Sequence, residues 1–163
     1  MAVEHSTLTT TDLHEPKGVA AAVADQIYIA NGSASGVWTD ADNSIYLFGW
    51  IDDISTAQSD FIVSPCTGTI TKIQCILTVA ITSADATVTF EIGDGTGSAG
   101  TLITDGGDND LDVAYSGSGP GKVFTYTPTG ARTLAIGSSL ELITNGGSST
   151  SCRANFTVTI TPT

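Results

Sequence analysis

From residue 44 to the C-terminus, apolar and polar residues alternate in short segments. Such a period of two is the signature of a β-strand with one buried face. In residues 69–82, the positions on the expected core side are Ile73, Cys75, Leu77, Val79 and Ile81. The pattern assigns six other positions to the outward face: Ile70, Lys72, Gln74, Ile76, Thr78 and Thr82.

The same alternation recurs in residues 86–93 and 154–163, and other apolar segments predict further strands. These segments are residues 45–51, 60–64, 101–103, 111–115, 122–127 and 138–144. Clusters of Gly, Asp, Asn, Pro and Ser separate them, and these residues favour turns. About eight short strands without a helical period predict an all-β fold, a jelly-roll-like β-sandwich. An immunoglobulin-like sandwich is the alternative, although the chain lacks the Cys–Trp–Cys pattern of those domains.

The N-terminal residues do not share this alternation, so the chain divides into two predicted parts. We predict an extended N-terminal arm over residues 1–43 and the β-sandwich over residues 44–163. Residues 1–12 are polar and Thr-rich, which favours a segment that is flexible or ordered only by a partner. Residues 18–26 are rich in alanine and would form about two helical turns at most.

Composition and charge exclude two classes of partner. Only 13% of residues are charged and 26 are threonine, which favours strands over helices. The net charge is −12, and the five basic residues are scattered along the chain. Nucleic acids and anionic membrane surfaces both bind proteins through clustered cations. We therefore predict no nucleic-acid partner and no membrane partner.

The sequence also shows neither a membrane span nor an export signal. No apolar run approaches the roughly 18 residues that a transmembrane helix needs. The first 18 residues contain no basic region followed by an apolar core. We therefore predict synthesis in a cytoplasm without signal-peptide export.

The number and spacing of the three cysteines agree with a reducing cytoplasm. Cys66, Cys75 and Cys152 are odd in number and form no CxxC pair, so free thiols packed as small apolar groups are the simplest interpretation. A Cys66–Cys152 or Cys75–Cys152 disulfide is the alternative, and it would need an oxidising compartment.

Motifs that carry catalysis are missing. The chain has no HExxH, no GxSxG and no P-loop, and both histidines, His5 and His14, lie in the N-terminal part. Glu91 and Glu141 are candidates for a glycosidase-type carboxylate pair, with a solvated sheet face as the alternative interpretation. We predict that the protein is not an enzyme and has no cofactor.

Residues 105–112 form the densest acidic cluster. Its carboxylates are candidate calcium ligands, because Ca²⁺ takes six to eight oxygen ligands. The spacing matches neither the EF-hand nor the GGxGxD repeat, so we favour a solvated hairpin loop without metal. The four candidates are Asp105, Asp108, Asp110 and Asp112.

The two tryptophans admit two interpretations. Exposed rings on a β-sandwich stack on sugars, as in carbohydrate-binding modules. We favour the other interpretation, in which Trp50 lies in the core and Trp38 anchors the arm.

The N-terminal part carries an ordered motif over residues 12–38. It reads Leu-His-X-Pro-Lys-Gly, then a run of small residues, then Tyr-Ile-Ala-Asn-Gly, a Gly/Ser turn and Trp. This motif resembles a segment of tailed-bacteriophage head decoration (cement) and head-fibre proteins. The matching positions are Leu13, His14, Pro16, Lys17, Gly18, Tyr28, Ala30, Asn31, Gly32, Gly36 and Trp38. The β domain also resembles jelly-roll domains of such phage proteins.

The resemblance implies a non-enzymatic homotrimer on the outer surface of a phage head. The major capsid protein would be its partner, and the N-terminal arm would make the contacts. A virion fibre or adhesin-type carbohydrate-binding module, with a host glycan as partner, is the alternative. The implied capsid or oligomer contacts are Leu13, His14, Pro16, Lys17, Gly18, Tyr28, Asn31, Gly32 and Trp38.

Elementary chain physics is compatible with a docking arm. Pro16 favours an extended conformation at Glu15, and Gly18 then permits a change of direction. An extended arm can add a strand to a neighbouring sheet edge, and Lys17 would pair with a carboxylate there. Apolar arm residues would be buried in that contact: Leu13, Val19, Val23, Ile27 and Ile29.

Overall fold

The computed structural model describes residues 26–30, 36–97, 100–107 and 109–163. Contacts between Cα atoms divide the chain into two compact units, Met1–Asp42 and Asn43–Thr163. Several sequence-predicted contact residues lie outside the described residues: Leu13, His14, Pro16, Lys17, Gly18, Asn31 and Gly32. Most of the predicted helical segment at residues 18–26 lies there too.

A β-hairpin forms the described part of the N-terminal unit. Strand β1, Gln26–Ala30, pairs antiparallel with β2, Gly36–Asp40, and Tyr28 lies opposite Trp38. Ile27 and Ile29 share one face of β1, and each is half exposed. The alternation criterion missed this hairpin because Ile27 and Ile29 of β1 alternate with Tyr28 and Ala30, which are apolar too.

The second unit contains ten strands and, among its described residues, no helix, which confirms the predicted all-β sandwich. The described part of the chain therefore holds no helix able to cross a membrane. The strands are β3 (Ile45–Ile51), β4 (Gln58–Val63), β5 (Gly68–Leu77), β6 (Ala86–Gly93), β7 (Thr101–Leu102), β8 (Asp110–Val113), β9 (Val123–Tyr126), β10 (Thr133–Leu134), β11 (Ser139–Thr144) and β12 (Ala154–Pro162).

Two antiparallel sheets make up this sandwich. The first has the order β3-β12-β5, and the far edge of β5 pairs with both β9 and β10. The second has the order β4-β11-β6, and the far edge of β6 pairs with both β7 and β8. Each sheet is thus four strand positions wide. When β7 with β8 and β9 with β10 are each counted as one position, the strands follow the order of a jelly roll.

Side chains from both sheets interlock in one core. The buried ring of Phe90 on β6 lies 5.3 Å from that of Tyr126 on β9 and 6.3 Å from that of Phe156 on β12. The Tyr126 hydroxyl donates a hydrogen bond to the Ile103 carbonyl at 3.1 Å, which satisfies a polar group inside the core. These aromatic contacts fix the two sheets against each other.

A β-bulge in β5 overturns one expectation from the sequence. Lys72 pairs with Thr159 but Ile70 pairs with Ile160, so Thr71 is an extra residue on β5. Its hydroxyl donates a hydrogen bond to the Thr159 carbonyl at 3.3 Å. Because the extra residue shifts the alternation by one, Ile70 lies in the core and not on the outward face.

Strand β5 is also shorter than its apolar pattern. It ends at Leu77, so Val79 and Ile81 continue the alternation without continuing the strand. Ile81 is buried nonetheless, and the Ser118 hydroxyl bonds both its amide and its carbonyl. A side chain from another loop therefore replaces the strand ladder beyond Leu77.

Candidate functional site

The outward face of the first sheet carries a column of exposed aromatic rings. Tyr46, Phe48 and Trp50 alternate along β3, with 51%, 71% and 50% of their surfaces exposed. Alternate residues of a strand lie about 7 Å apart, so the three rings form a continuous row. The expectation that Trp50 lies in the core is therefore wrong. The side chain of Trp38 lies outside the described residues.

The core side of β3 explains why the rings point outward. Leu47 and Ile51 are buried there, with Gly49 between them. A Cβ atom added to Gly49 would lie 2.6 Å from Cδ1 of Ile62 on β4, so a larger residue at this position would require the Ile62 side chain to move. Because successive residues of a strand face opposite sides, this narrow core side directs the rings to the surface.

The strand register extends the aromatic column across the sheet. Trp50 lies opposite Asn155, Asn155 opposite Ile76, and Ile76 opposite Val123. Ile76 and Val123 are both exposed. We call this surface, made by the outward side chains of β3, β12, β5 and β9, the aromatic face.

Polar groups lie between the apolar edges of the aromatic face. A depression of about 230 Å³ is lined by side chains that include Gln74, Ile76, Val123, Asn155 and Thr157. Within the described part of the chain, the side-chain amides of Gln74 and Asn155 make no hydrogen bond. These groups are available to a partner that supplies complementary donors and acceptors.

Trp50 is oriented by its neighbours. The Arg153 guanidinium lies 5.6 Å from the centre of the Trp50 ring, which is a cation–π distance. Arg153 also donates to the Asp52 carboxylate at 2.7 Å, so this end of the aromatic face carries a neutral ion pair. The contact restrains the ring while half of its surface remains accessible.

The opposite outward face, on the second sheet, brings the two candidate glutamates together. Glu141 on β11 lies directly opposite Glu91 on β6, and Phe61 on β4 lies opposite Glu141 on the other side. Both carboxylates stand on an open sheet with no histidine among the described residues. This arrangement fits the interpretation as a solvated sheet face better than that as a catalytic cleft, since general acid chemistry needs an enclosed carboxyl group.

We expect Glu141→Thr to stabilise the domain. Like charges directly opposite on neighbouring strands destabilise a sheet, and threonine suits a strand better than glutamate. The free energy of unfolding, measured in urea, should rise by about 0.5 kcal/mol. The gain should shrink in 1 M NaCl, because salt screens exposed charges.

A double-mutant cycle with Glu91→Thr separates repulsion from strand propensity. If the carboxylates repel, the double variant should gain less than the sum of the two single variants. Additive gains would show that Glu91 and Glu141 do not interact.

The acidic segment does not assemble a metal site in the described residues. Asp110 and Asp112 lie on β8 opposite Thr89 and Thr87, and Asp105 accepts a hydrogen bond from the Gly107 amide at 3.1 Å. No group of three or more acidic, histidine or cysteine side chains there is close enough to hold an ion. Asp108 lies outside the described residues.

The three cysteines are free, as the simpler interpretation of the sequence predicted. Cys75 faces the core, and burial, with a smaller contribution from nearby Cys152, raises the pKa of its thiol to about 12. Since the thiolate is the reactive form, Cys75 is an inert packing residue.

Comparison of the chain with protein-family models, with curated proteins and with solved structures gave no match. The aromatic face is therefore assigned from geometry alone. Sequence reasoning missed it because every residue but one of "IYLFGWI" is apolar, so both sides of β3 have the same hydrophobic pattern.

Proposed function

We propose that this chain is a structural protein of a tailed-bacteriophage head. It is a decoration protein that binds the major capsid protein on the outer surface of the shell and displays a β-sandwich there. The protein performs no catalysis, and its work is to hold neighbouring capsid subunits together.

One observation supports this proposal: the hydrophobic core and the phage-like motif lie in two different units of the chain. The sandwich has its own core, whereas the separate N-terminal unit bears the phage-like motif and a hairpin with Ile27 and Ile29 half exposed. Half-exposed β-branched side chains on a short hairpin gain stability when another surface covers them. The hairpin therefore offers an apolar contact beside the motif residues Tyr28 and Trp38.

Purified heads of the phage that encodes this chain test the proposal. Heads made without the protein should bind the added full chain saturably, and electron microscopy should show sandwich-sized density on their outer surface. Absence of the protein from purified virions, together with no binding to such heads, would refute the decoration function.

The aromatic face favours a second candidate function, binding of a host glycan. Exposed rings stack on the apolar faces of sugars, and the free amides of Gln74 and Asn155 would bond hydroxyl groups. A glycan array probed with the full chain and with Trp50→Ala tests this candidate. A signal that disappears in the variant would support it, and an array without signal would reject it.

A further inference from the structure

The aromatic face gathers five of the exposed large apolar side chains of the described sandwich on one sheet. Its five large apolar side chains lie on three of the four adjacent strands, β3, β5 and β9: Tyr46, Phe48, Trp50, Ile76 and Val123. Contiguous exposed patches of several hundred Å² mark interaction surfaces on soluble proteins. Apolar residues that are scattered singly over a surface are normal in soluble proteins. A row of three adjacent exposed rings is instead typical of an interaction surface.

Charge identifies the partner. The chain carries a net charge of −12, yet no outward position of β3, β12, β5 or β9 is acidic. The outward face of the second sheet instead carries Glu91, Glu141, Asp110 and Asp112. Two copies of so acidic a chain repel each other wherever carboxylates meet. Asp110 and Asp112 line a depression beside Val123, and Asp52 at the other end is paired with Arg153, so copies that approach through the strands of the aromatic face meet few unpaired carboxylates.

We infer that the aromatic face is a self-association surface, occupied by a second copy of this chain. This inference deepens the proposed function, because copies joined through the sandwich would present several N-terminal units together. Several linked arms bind a shell far more tightly than one arm does.

The size of the surface fits that partner. A fully covered aromatic side chain buries roughly 150–250 Å², so three half-exposed rings offer on the order of 300 Å². Ile76, Val123 and the polar groups between them add to this area, so the face supplies a substantial part of the roughly 800 Å² that each partner contributes to a stable interface. The strands of the face carry one exposed charged residue, Lys72, and depletion of charged residues is usual at such interfaces.

The edge of the first sheet adds a second means of association. Strand β3 pairs only with β12 among the described residues, so its other edge is open there. It has seven residues and contains neither proline nor lysine, which commonly block pairing at exposed edges. A second copy can therefore contact both the rings and the backbone of β3.

A glycan explains less of this surface. A sugar would use the rings and the amides, but it would not require the four strands of this face to lack acidic residues. A strongly acidic partner does require it, because carboxylates on these four strands would repel such a partner. The second copy is therefore the occupant that accounts for both the rings and the charge.

Analytical ultracentrifugation of the full chain, without capsids, tests the inference. The native chain should form a dimer or trimer, and Phe48→Thr should weaken the association constant at least about tenfold, as loss of a central ring does at interfaces. Phe48→Glu should weaken it further, and salt should partly restore it, because the variant places a carboxylate on the face. Circular dichroism should show native folding for both variants.

Phe61→Thr is the matched control. Phe61 is 60% exposed on β4, the equivalent edge strand of the second sheet, and lies beside Glu141. Its replacement should leave the association constant unchanged. A native chain that is monomeric at every concentration, an oligomer unaffected by Phe48→Glu, or equal losses from Phe61→Thr would each overturn the inference. A monomer that binds glycans through Trp50 would replace it with the sugar site.

Failure of this test leaves the decoration function open. Binding to heads is measured separately with the full chain, so a monomer that still decorates heads refutes only the self-association surface. An oligomer that binds no heads refutes only the proposed function.

Discussion

Deletion of residues 1–42 is expected to reduce binding to phage heads at least about 100-fold, because under the proposed function several arms make a multivalent contact and the deletion removes all of them. The remaining chain, Asn43–Thr163, should stay folded, since it forms a compact unit with its own core. The association constant for heads, from a sedimentation binding assay, and the melting temperature of the truncated domain check the two halves of this prediction.

A milder variant separates the motif from the hairpin. Lys17→Ala with His14→Ala keeps the whole chain but removes the two ionisable contact residues that the phage resemblance implies. It should weaken binding less than the deletion, without changing the melting temperature. A truncated domain that binds heads as tightly as the full chain would assign docking to the sandwich and reject the arm.

Phe90→Ala should destabilise the sandwich by about 3–5 kcal/mol, the usual cost of truncating a buried aromatic side chain. The Phe90 ring is fully buried on β6 and contacts the rings of Tyr126 and Phe156 on the facing sheet. Its loss would leave a cavity between the two sheets. Equilibrium unfolding in urea measures the change, and the midpoint should fall with little change in slope.

Phe61→Ala provides the comparison for the same chemical change at the surface. It should alter the free energy of unfolding by no more than about 0.5 kcal/mol, since most of the Phe61 side chain is already in water. Phe90→Leu should cost less than Phe90→Ala, because it fills part of the cavity. Equal costs for Phe90→Ala and Phe61→Ala would show that the sheets do not pack through Phe90.

Alternation predicted the strands best where apolar and polar residues are chemically distinct. The segment at residues 86–93 matches β6, because threonine and glutamate mark its outward side. The bounds of β3 were also correct, but its two sides could not be told apart. Alternation does not show which side of β3 is buried, because both sides are apolar. Gly49 on the buried side makes that side look less apolar than the side of Trp50, which is why the sequence pattern predicts Trp50 in the core.

The alternation pattern could not predict features that depend on which strands are neighbours in a sheet. Glu91 and Glu141 are 50 residues apart, and only the register between β6 and β11 places them opposite each other. The aromatic face likewise joins four strands from distant parts of the chain. Local alternation assigns a residue to a side of its strand, but it does not identify the strand beside it.

The extra residue in β5 has an evolutionary consequence. Thr71 sets the alternation of residues 68–70, so a deletion there would turn Ile70 towards water and Thr69 towards the core. Substitution of Thr71 by another residue would leave the spacing of Ile70 and Ile73 intact. Related sequences should therefore vary freely in the identity of this residue, but they should conserve its presence and accept insertions only outside the strand.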